Sequence, residues 1–444
     1  AAQAVEDVEA REEGPGWGFG IDVLYLENVA IDYRDALIER QLSIDELRLT
    51  SLRSWEPELT TSLDVALSSG DASLTSTGTL RPFAEFFDLD FQVVGERLDA
   101  VGLEAVLEQA GVTALAGRLD SGFQVRVNTT ADGGTMIAID GDLVLEDWDV
   151  TLAQQSMAIG RAGWSGTVEL GLFGDTNTFA AQGELGSSGL SAQADPYQAA
   201  LGEFSWQGSV SGEVGELGAS AVMDGAVAVA EASIADPVQD QVAAVAALSW
   251  QGRLASASAD GWRVDSAGRL TGAGFIAGLR HRPQLLSLAD LSLEVIAPQP
   301  GQLISLQTIA LQGLSFARRA EVGDDEPGHV LAVSELALDQ LVLDGSSLHL
   351  GELAISDLTA WLEMREDGTL LTGLPAAAAE QQPVVQADAP ETSAANDQPA
   401  TDGQRLRLAG LKTLGETTVT YLDQSVRPRA QLDFRNLEVS LGAA

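Results

Sequence analysis

Residues 286–293 read Leu-Ser-Leu-Ala-Asp-Leu-Ser-Leu, and the pattern of this stretch decides the fold. Its apolar residues stand at the first, third, sixth and eighth positions, an arrangement we call the eight-residue template. At this content of large apolar residues, less than about one clean copy is expected by chance. The sequence holds six copies: Leu42/Ile44/Leu47/Leu49, Leu286/Leu288/Leu291/Leu293, Ile304/Leu306/Ile309/Leu311, Leu331/Val333/Leu336/Leu338, Leu348/Leu350/Leu353/Ile355 and Leu432/Phe434/Leu437/Val439.

The template predicts a β-strand with one slip of phase. Side chains alternate between the two faces of a strand, so apolar residues two apart share a face. A step of three would send the second pair to the other face unless one extra residue is absorbed in a bulge or tight bend. The residues between the pairs tolerate turns, as Asp45-Glu46 and Arg435-Asn436 illustrate. The six copies therefore predict an elongated, curved, mainly antiparallel repeat sheet with one continuous apolar face, of a β-groove or solenoid-like kind.

Two further correspondences support a repeating β architecture. Trp164, Trp206 and Trp250 each begin a Trp-x-Gly triplet, at spacings of 42 and 44 residues. Each triplet is expected to mark a strand end, with the glycine allowing close backbone approach. In addition, Ile31-Asp32-Tyr33 precedes the first template copy as Val419-Thr420-Tyr421 precedes the last. The chain is therefore expected to begin the same unit again at its end.

Composition along the chain suggests six segments. Residues 1–20 are an acidic lead-in with a glycine-rich linker; 21–150 form a first β-groove unit with a short helix near 103–110. Residues 151–280 carry the Trp-x-Gly repeats and 281–372 the densest template copies. Residues 373–404 hold almost nothing to bury and are expected to be a disordered insertion. Residues 405–444 would start a further unit. One or two short helices complete the expected fold.

The charge of the chain excludes one class of function. It has 444 residues with 66 acidic against 24 basic side chains, a net charge of -42 and no cysteine. So negative a field opposes binding to nucleic acid. Only one of the cations, Lys412, is a lysine, and an acidic, lysine-poor surface favours adaptation to high salt. Calcium binding is the rival interpretation, but Asp324-Asp325-Glu326 lacks the spacing of a calcium loop.

Catalytic motifs are absent from the sequence. It has no nucleophile elbow, zinc-protease helix or phosphate-binding loop, and its three histidines form no metal-binding pair. We therefore predict a protein that is not an enzyme and needs no cofactor or metal. A hydrolase with a degenerate site is the least favoured alternative.

Three segments resemble the AsmA-like family, in particular its large envelope proteins of Gram-negative bacteria. They are 29–49, 87–119 (with Asp99-Ala-Val-Gly-Leu-Glu-Ala-Val-Leu and Gly117-Arg118-Leu119) and 421–441 (opening Tyr421-Leu-Asp-Gln-Ser-Val-Arg-Pro). A unit in that family opens with the line v-x-y-x-D-x-s-x-x-P, followed by l-x-l-x-x-l-x-l. Val419, Tyr421, Asp423, Ser425 and Pro428 fit the opening line, whereas the first unit lacks its proline. The resemblance covers 21–120 and 405–444 directly, 280–360 by the template, and 150–280 only in general character.

The resemblance implies a periplasmic protein, held at the inner membrane by an anchor outside this sequence, that carries phospholipid acyl chains between the inner and outer membranes. The template residues would then line a groove for acyl chains. The first alternative is an envelope scaffold or assembly factor for outer-membrane proteins, acting by strand augmentation. The second is structural: the apolar faces pack on each other as an ordinary sandwich or solenoid core.

Overall fold

The structure is a computed structural model of the whole chain. It describes residues 18–34, 39–100, 111–152, 155–216, 218–258, 263–297, 302–317, 329–344, 347–364, 370–371, 405–423, 425–426 and 430–442. The helix expected near 103–110 and the insertion expected at 373–404 lie outside these residues. Every regular element among the described residues is a β-strand.

Twenty-four strands make up the described fold, and most of those in its middle are long. They are β1 Gly20–Arg34, β2 Glu39–Arg53, β3 Thr61–Ser69, β4 Ala72–Arg81, β5 Asp88–Asp99, β6 Val112–Thr129, β7 Thr135–Leu152, β8 Gln155–Phe173, β9 Thr176–Ala194, β10 Tyr197–Gly215, β11 Gly218–Asp236, β12 Gln241–Ala257, β13 Arg263–Leu279, β14 Arg282–Val295, β15 Gln302–Ala317, β16 His329–Leu338, β17 Leu341–Asp344, β18 Ser347–Ser356, β19 Thr359–Met364, β20 Leu370–Leu371, β21 Arg405–Leu414, β22 Thr418–Asp423, β23 Ala430–Arg435 and β24 Ser440–Gly442.

All of these strands belong to one open sheet. From β1 to β16 each strand pairs antiparallel with the next one along the chain. Beyond β16 the sheet continues through β18 and β19 to β21 and β22, and these two junctions are parallel. β24 pairs with β21, and β23 pairs with β22. The expected elongated antiparallel repeat sheet is confirmed.

The phase slip of the template takes two forms. In β2 the register against β3 shifts between Ile44 and Glu46, so Asp45 is the extra residue of a bulge. Ile44, Leu47 and Leu49 consequently pair with Leu67, Val65 and Leu63, which are two apart and share a face. The Ile304 copy behaves in the same way. Leu293 and Val295, which are two apart, pair with Ile309 and Leu306, which are three apart, so this copy also contains one extra residue. Here the extra residue predicted from the template is present.

In the middle of the sheet every strand has the slip at the same level. The residues on the two sides of the slip therefore stay paired with the neighbouring strand in one continuous register. On alternate strands one residue at this level has a positive φ. We call the line of these residues the crease; they are Asp147, Gly189, Glu231, Gly274, Gly313 and Asp357, with φ between 49° and 66°. A Cβ built on Gly274 would lie 2.8 Å from the Cβ of Ala246, and one on Gly313 would lie 2.8 Å from the Cβ of Ala289. The crease is thus a periodic feature in which small residues oppose each left-handed one.

The apolar face continues across the crease. A Cβ on Gly272 would lie 2.4 Å from Cζ of Phe275 and 3.2 Å from Cδ1 of Leu248. Gly272 and Phe275 are three residues apart, yet they point to the same side. Gly95 meets Leu98 in the same manner, at 2.7 Å, across Arg97 with a φ of 51°. The template prediction that residues three apart share one surface therefore holds at these positions.

Asp357 joins the antiparallel part of the sheet to β21 and β22. Its backbone N–H donates to Leu414 O at 3.0 Å, and its Oδ1 accepts from the Glu416 N–H at 2.9 Å. Replacing Asp357 with alanine is expected to cost about 1 kcal/mol from the lost hydrogen bond, plus strain at its positive φ of 49°. Hydrogen exchange of the β21 and β22 amides should become faster in this variant. An Asp290→Ala variant is the control, and equal protection in both would contradict this role for Asp357.

Candidate functional site

An apolar row crosses the described sheet from strand to strand. Residues that pair directly across neighbouring strands share a face, so the pairs can be followed from edge to edge. The resulting central row is Val29, Ile44, Leu67, Leu74, Gly95, Ser121, Leu143, Trp164, Leu185, Trp206, Val227, Trp250, Leu270, Leu293, Ile309, Leu338, Leu353, Leu411 and Leu441. Only Gly95 and Ser121 lack a large apolar side chain. With strands about 4.8 Å apart, the row is about 85 Å long.

A row of glycines lies two residues from the central row on the same face. It occupies seven successive strands: Gly141, Gly166, Gly183, Gly208, Gly225, Gly252 and Gly268. A Cβ on any of them would lie 1.9 to 2.4 Å from a backbone oxygen of the neighbouring strand. We call this set the glycine ladder. Side chains are excluded there because the backbones approach too closely.

The ladder gives the tryptophans of the central row room to lie flat. The position that a Gly268 Cβ would occupy is 2.8 Å from Cζ2 of Trp250. The ring of Trp164 reaches Phe123, with 6.3 Å between ring centroids. The Nε1 atoms of Trp206 and Trp250 are buried without a hydrogen-bond partner, in keeping with rings packed against the sheet. Because each Trp-x-Gly triplet lies in mid-strand, the prediction that it marks a strand end is wrong, while the close approach at its glycine is present.

The other face of the sheet carries the charge. Acidic residues alternate with the apolar positions along the central strands and so point to the opposite side. Cross-strand pairs there include Arg161 with Glu146, at 3.9 Å, and Arg269 with Glu294, at 4.0 Å. Members of this acidic face are Asp140, Asp142, Glu146, Glu169, Glu184, Glu203, Asp224, Asp265, Asp290, Glu294 and Glu335. One side of the sheet is therefore apolar and the other acidic.

Each face has a shallow depression. The one on the apolar face measures about 530 Å³ and is lined by Ile234, Val245, Phe275, Leu286, Leu288 and Leu314. The one on the acidic face measures about 840 Å³ and is lined mainly by small and hydroxyl side chains; Ser249 and Thr271 form a 2.7 Å hydrogen bond inside it. The first depression is lined by two template residues, Leu286 and Leu288.

Few of the predicted groove residues are buried. Val333 and Leu338 are 5% and 7% exposed, and only eight hydrophobic side chains in the described part of the chain are buried. Leu286 and the four residues of the last copy, Leu432, Phe434, Leu437 and Val439, are exposed. The others are half-buried: Leu42, Ile44, Leu47, Leu49, Leu288, Leu291, Leu293, Leu306, Ile309, Leu331, Leu336, Leu348, Leu350, Leu353 and Ile355. No second sheet packs on them among the described residues.

The tryptophans and their neighbours on the central row are absent from the predicted groove set. Trp164, Leu185, Trp206, Val227 and Trp250 lie on the same row as Ile44 and Leu293. A signal for them existed in the sequence, because the Trp-x-Gly spacing matches two strands plus two turns. The glycines of the intervening strands, such as Gly183 and Gly225, could have been aligned with it.

The described residues contain no cluster of three or more histidine, aspartate or glutamate side chains placed to hold a metal ion. Among the same residues, no helix is long and apolar enough to cross a membrane. No family model, curated protein or solved structure matches this chain.

Proposed function

We propose that this chain is a non-enzymatic lipid-binding and transfer protein of the AsmA-like type, whose apolar face shields phospholipid acyl chains. The observation that carries the proposal is the central row, about 85 Å long at the usual strand spacing, on which no second sheet packs among the described residues. Soluble monomers rarely expose apolar patches of more than a few hundred Å². Hydrocarbon tails are an apolar cover that needs no specific hydrogen bonds. In this proposal the protein works in the periplasm, with an inner-membrane anchor outside the given sequence.

The separation of the two faces removes an objection to an acidic lipid carrier. A net charge of -42 would repel anionic head groups if carboxylates lined the groove. The acidic residues of the central strands instead point away from the central row. Tails can therefore lie on the apolar face while head groups stay in water.

Lipid binding can be tested on the intact protein. After purification from bacterial membranes in mild detergent, native mass spectrometry followed by lipid extraction should reveal bound phospholipid. A lipid-free protein under these conditions would argue against the proposal.

The location of the lipid can be tested with a dye, because the chain has no cysteine. An environment-sensitive fluorophore on Leu288→Cys should shift to shorter wavelength when phospholipid is added. The same dye on Ser292→Cys, on the other face of β14, should not shift. Equal shifts at both positions would contradict binding to the apolar face.

The free strand edges support a second candidate function, an envelope scaffold that binds strands of outer-membrane proteins. Within the described part of the chain, β1 pairs only with β2, and β23 pairs only with β22. Unpaired edges are templates for strand addition.

A further inference from the structure

The free edge of β1 is an unusual feature for a folded domain. The strand is 15 residues long and has no proline. Val23, Tyr25 and Ile31 are 61%, 50% and 41% exposed. Natural edge strands are commonly kept short, covered or blocked with proline to prevent pairing with other chains. β1 is long and lacks proline, and no other described segment covers its edge.

The hairpin at the other end of the chain is a counterpart of β1 and β2. In the first hairpin Ile31 pairs with Leu42, and in the second Tyr421 pairs with Leu432. A residue of positive φ interrupts the leading strand of each, namely Asn28 in β1 and Gly415 between β21 and β22. Leu432 and Leu42 open the last and first template copies. β21 and β22 together therefore correspond to β1.

What differs between the hairpins is the neighbour on the outer edge. β22 pairs in parallel with β19, placing Ala360 beside Val419 and Leu362 beside Tyr421. β21 pairs in parallel with β18 over nine registered pairs. The Thr418 N–H donates to Leu358 O at 2.7 Å. The corresponding edge of β1 has no such neighbour among the described residues.

We propose that the free edge of β1 is a docking site for one kind of partner, a β-strand with the sequence pattern of β18 and β19 that adds in parallel. The chain itself shows this pairing on the counterpart hairpin. Ile31 and Tyr421 pair with the first residue of the first and last template copies. Aligning these two residues fixes the register, so partner residues equivalent to Ala360 and Leu362 lie beside Val29 and Ile31. This inference deepens the strand-augmentation function and does not depend on lipid binding.

The test uses the full chain and a synthetic peptide of residues 347–364, labelled with an acceptor dye at its N-terminus. Donor dyes are placed on single-cysteine variants Val23→Cys and Asp32→Cys. In the parallel register the acceptor lies level with a point just before the start of β1, about 23 Å from position 23 and about 53 Å from position 32 at 3.3 Å per residue. Energy transfer should therefore be strong for the first variant and weak for the second.

The Thr418 N–H donates to Leu358 O in the parallel pairing of β19 with β22, so the N–H groups of β19 that face β22 are those of Ala360 and Leu362. A matched peptide with Ala360→Pro and Leu362→Pro lacks these two donors and should bind at least about tenfold more weakly. A Leu432→Cys donor on β23 reports on the opposite edge and should show no transfer. Stronger transfer at position 32, transfer at position 432 or no binding at 1 mM peptide (roughly 4 kcal/mol) would overturn the proposal. Transfer between two chains labelled on β1, without peptide, would also overturn it, because the edge would then belong to a second copy.

Discussion

Replacing Leu288 with aspartate is expected to remove bound phospholipid while the sheet stays folded. Leu288 lines the depression on the apolar face and is half-buried. In the lipid-free protein its carboxylate can remain hydrated, so stability should change little. A bound acyl chain would strip that water, which costs several kcal/mol for a charged group without a partner. Binding should therefore weaken at least about 100-fold, measured by lipid content in native mass spectrometry.

Two further variants make this result decisive. Ser292→Asp puts the same charge on the acidic face of the same strand and should keep its lipid. Leu338→Asp puts it at a side chain that is only 7% exposed and should unfold that region, as seen by circular dichroism. If Leu288→Asp unfolds as Leu338→Asp does, the apolar face is an ordinary core. If it folds and keeps its lipid, the lipid lies elsewhere.

Replacing Gly208 with alanine is expected to lower the free energy of unfolding by about 1–3 kcal/mol. The new Cβ would lie 2.2 Å from Asp224 O and 2.8 Å from the Cα of Gly225. Neither is a flexible side chain, so β10 and β11 would have to separate locally. The loss should be visible as a lower midpoint in urea unfolding monitored by tryptophan fluorescence.

Gly186→Ala is the matched control in the neighbouring strand. Its Cβ would have only Phe204 O within reach, at 3.8 Å, and the backbone there has no positive φ. Glycine-to-alanine changes at such sites stabilise by about 0.4–1 kcal/mol through the unfolded chain. Equal destabilisation of the two variants would show that the glycine ladder has no special role.

The template carried most of the information needed for the fold. Its step of three predicted an extra residue, and the structure places Asp45 and Gln307 in that role. These predictions succeeded because the alternation of side chains between the two faces depends only on residues that are neighbours in the sequence. The spacing of the Trp-x-Gly triplets predicts strand ends, whereas the structure places the triplets in mid-strand. In this sheet the glycines pair with one another across seven strands. This pairing depends on the register between strands, which the spacing of residues within one strand does not reveal.

The apolar face could be predicted only in part, for a similar reason. Ile44 and Leu293 belong to template copies, whereas Val227 and Leu185 do not. They join the central row because they pair with Trp206. Membership is thus determined by the cross-strand partner. A calculation that slides the segments between 135 and 279 past one another at fixed hairpin length would have found the row.

The unshifted register of the crease bears on how such a protein can change its length. β8, β9, β10 and β11 have 19 residues each. Each hairpin in this region therefore offers equivalent pairing positions to the strand before it and to the strand after it. Duplicating or deleting a stretch of about 42 residues would leave the crease, the ladder and the central row aligned, and would alter the span by two strands, about 10 Å. Gene duplication could therefore match this sheet to gaps of different width in small steps, without a new fold at any stage.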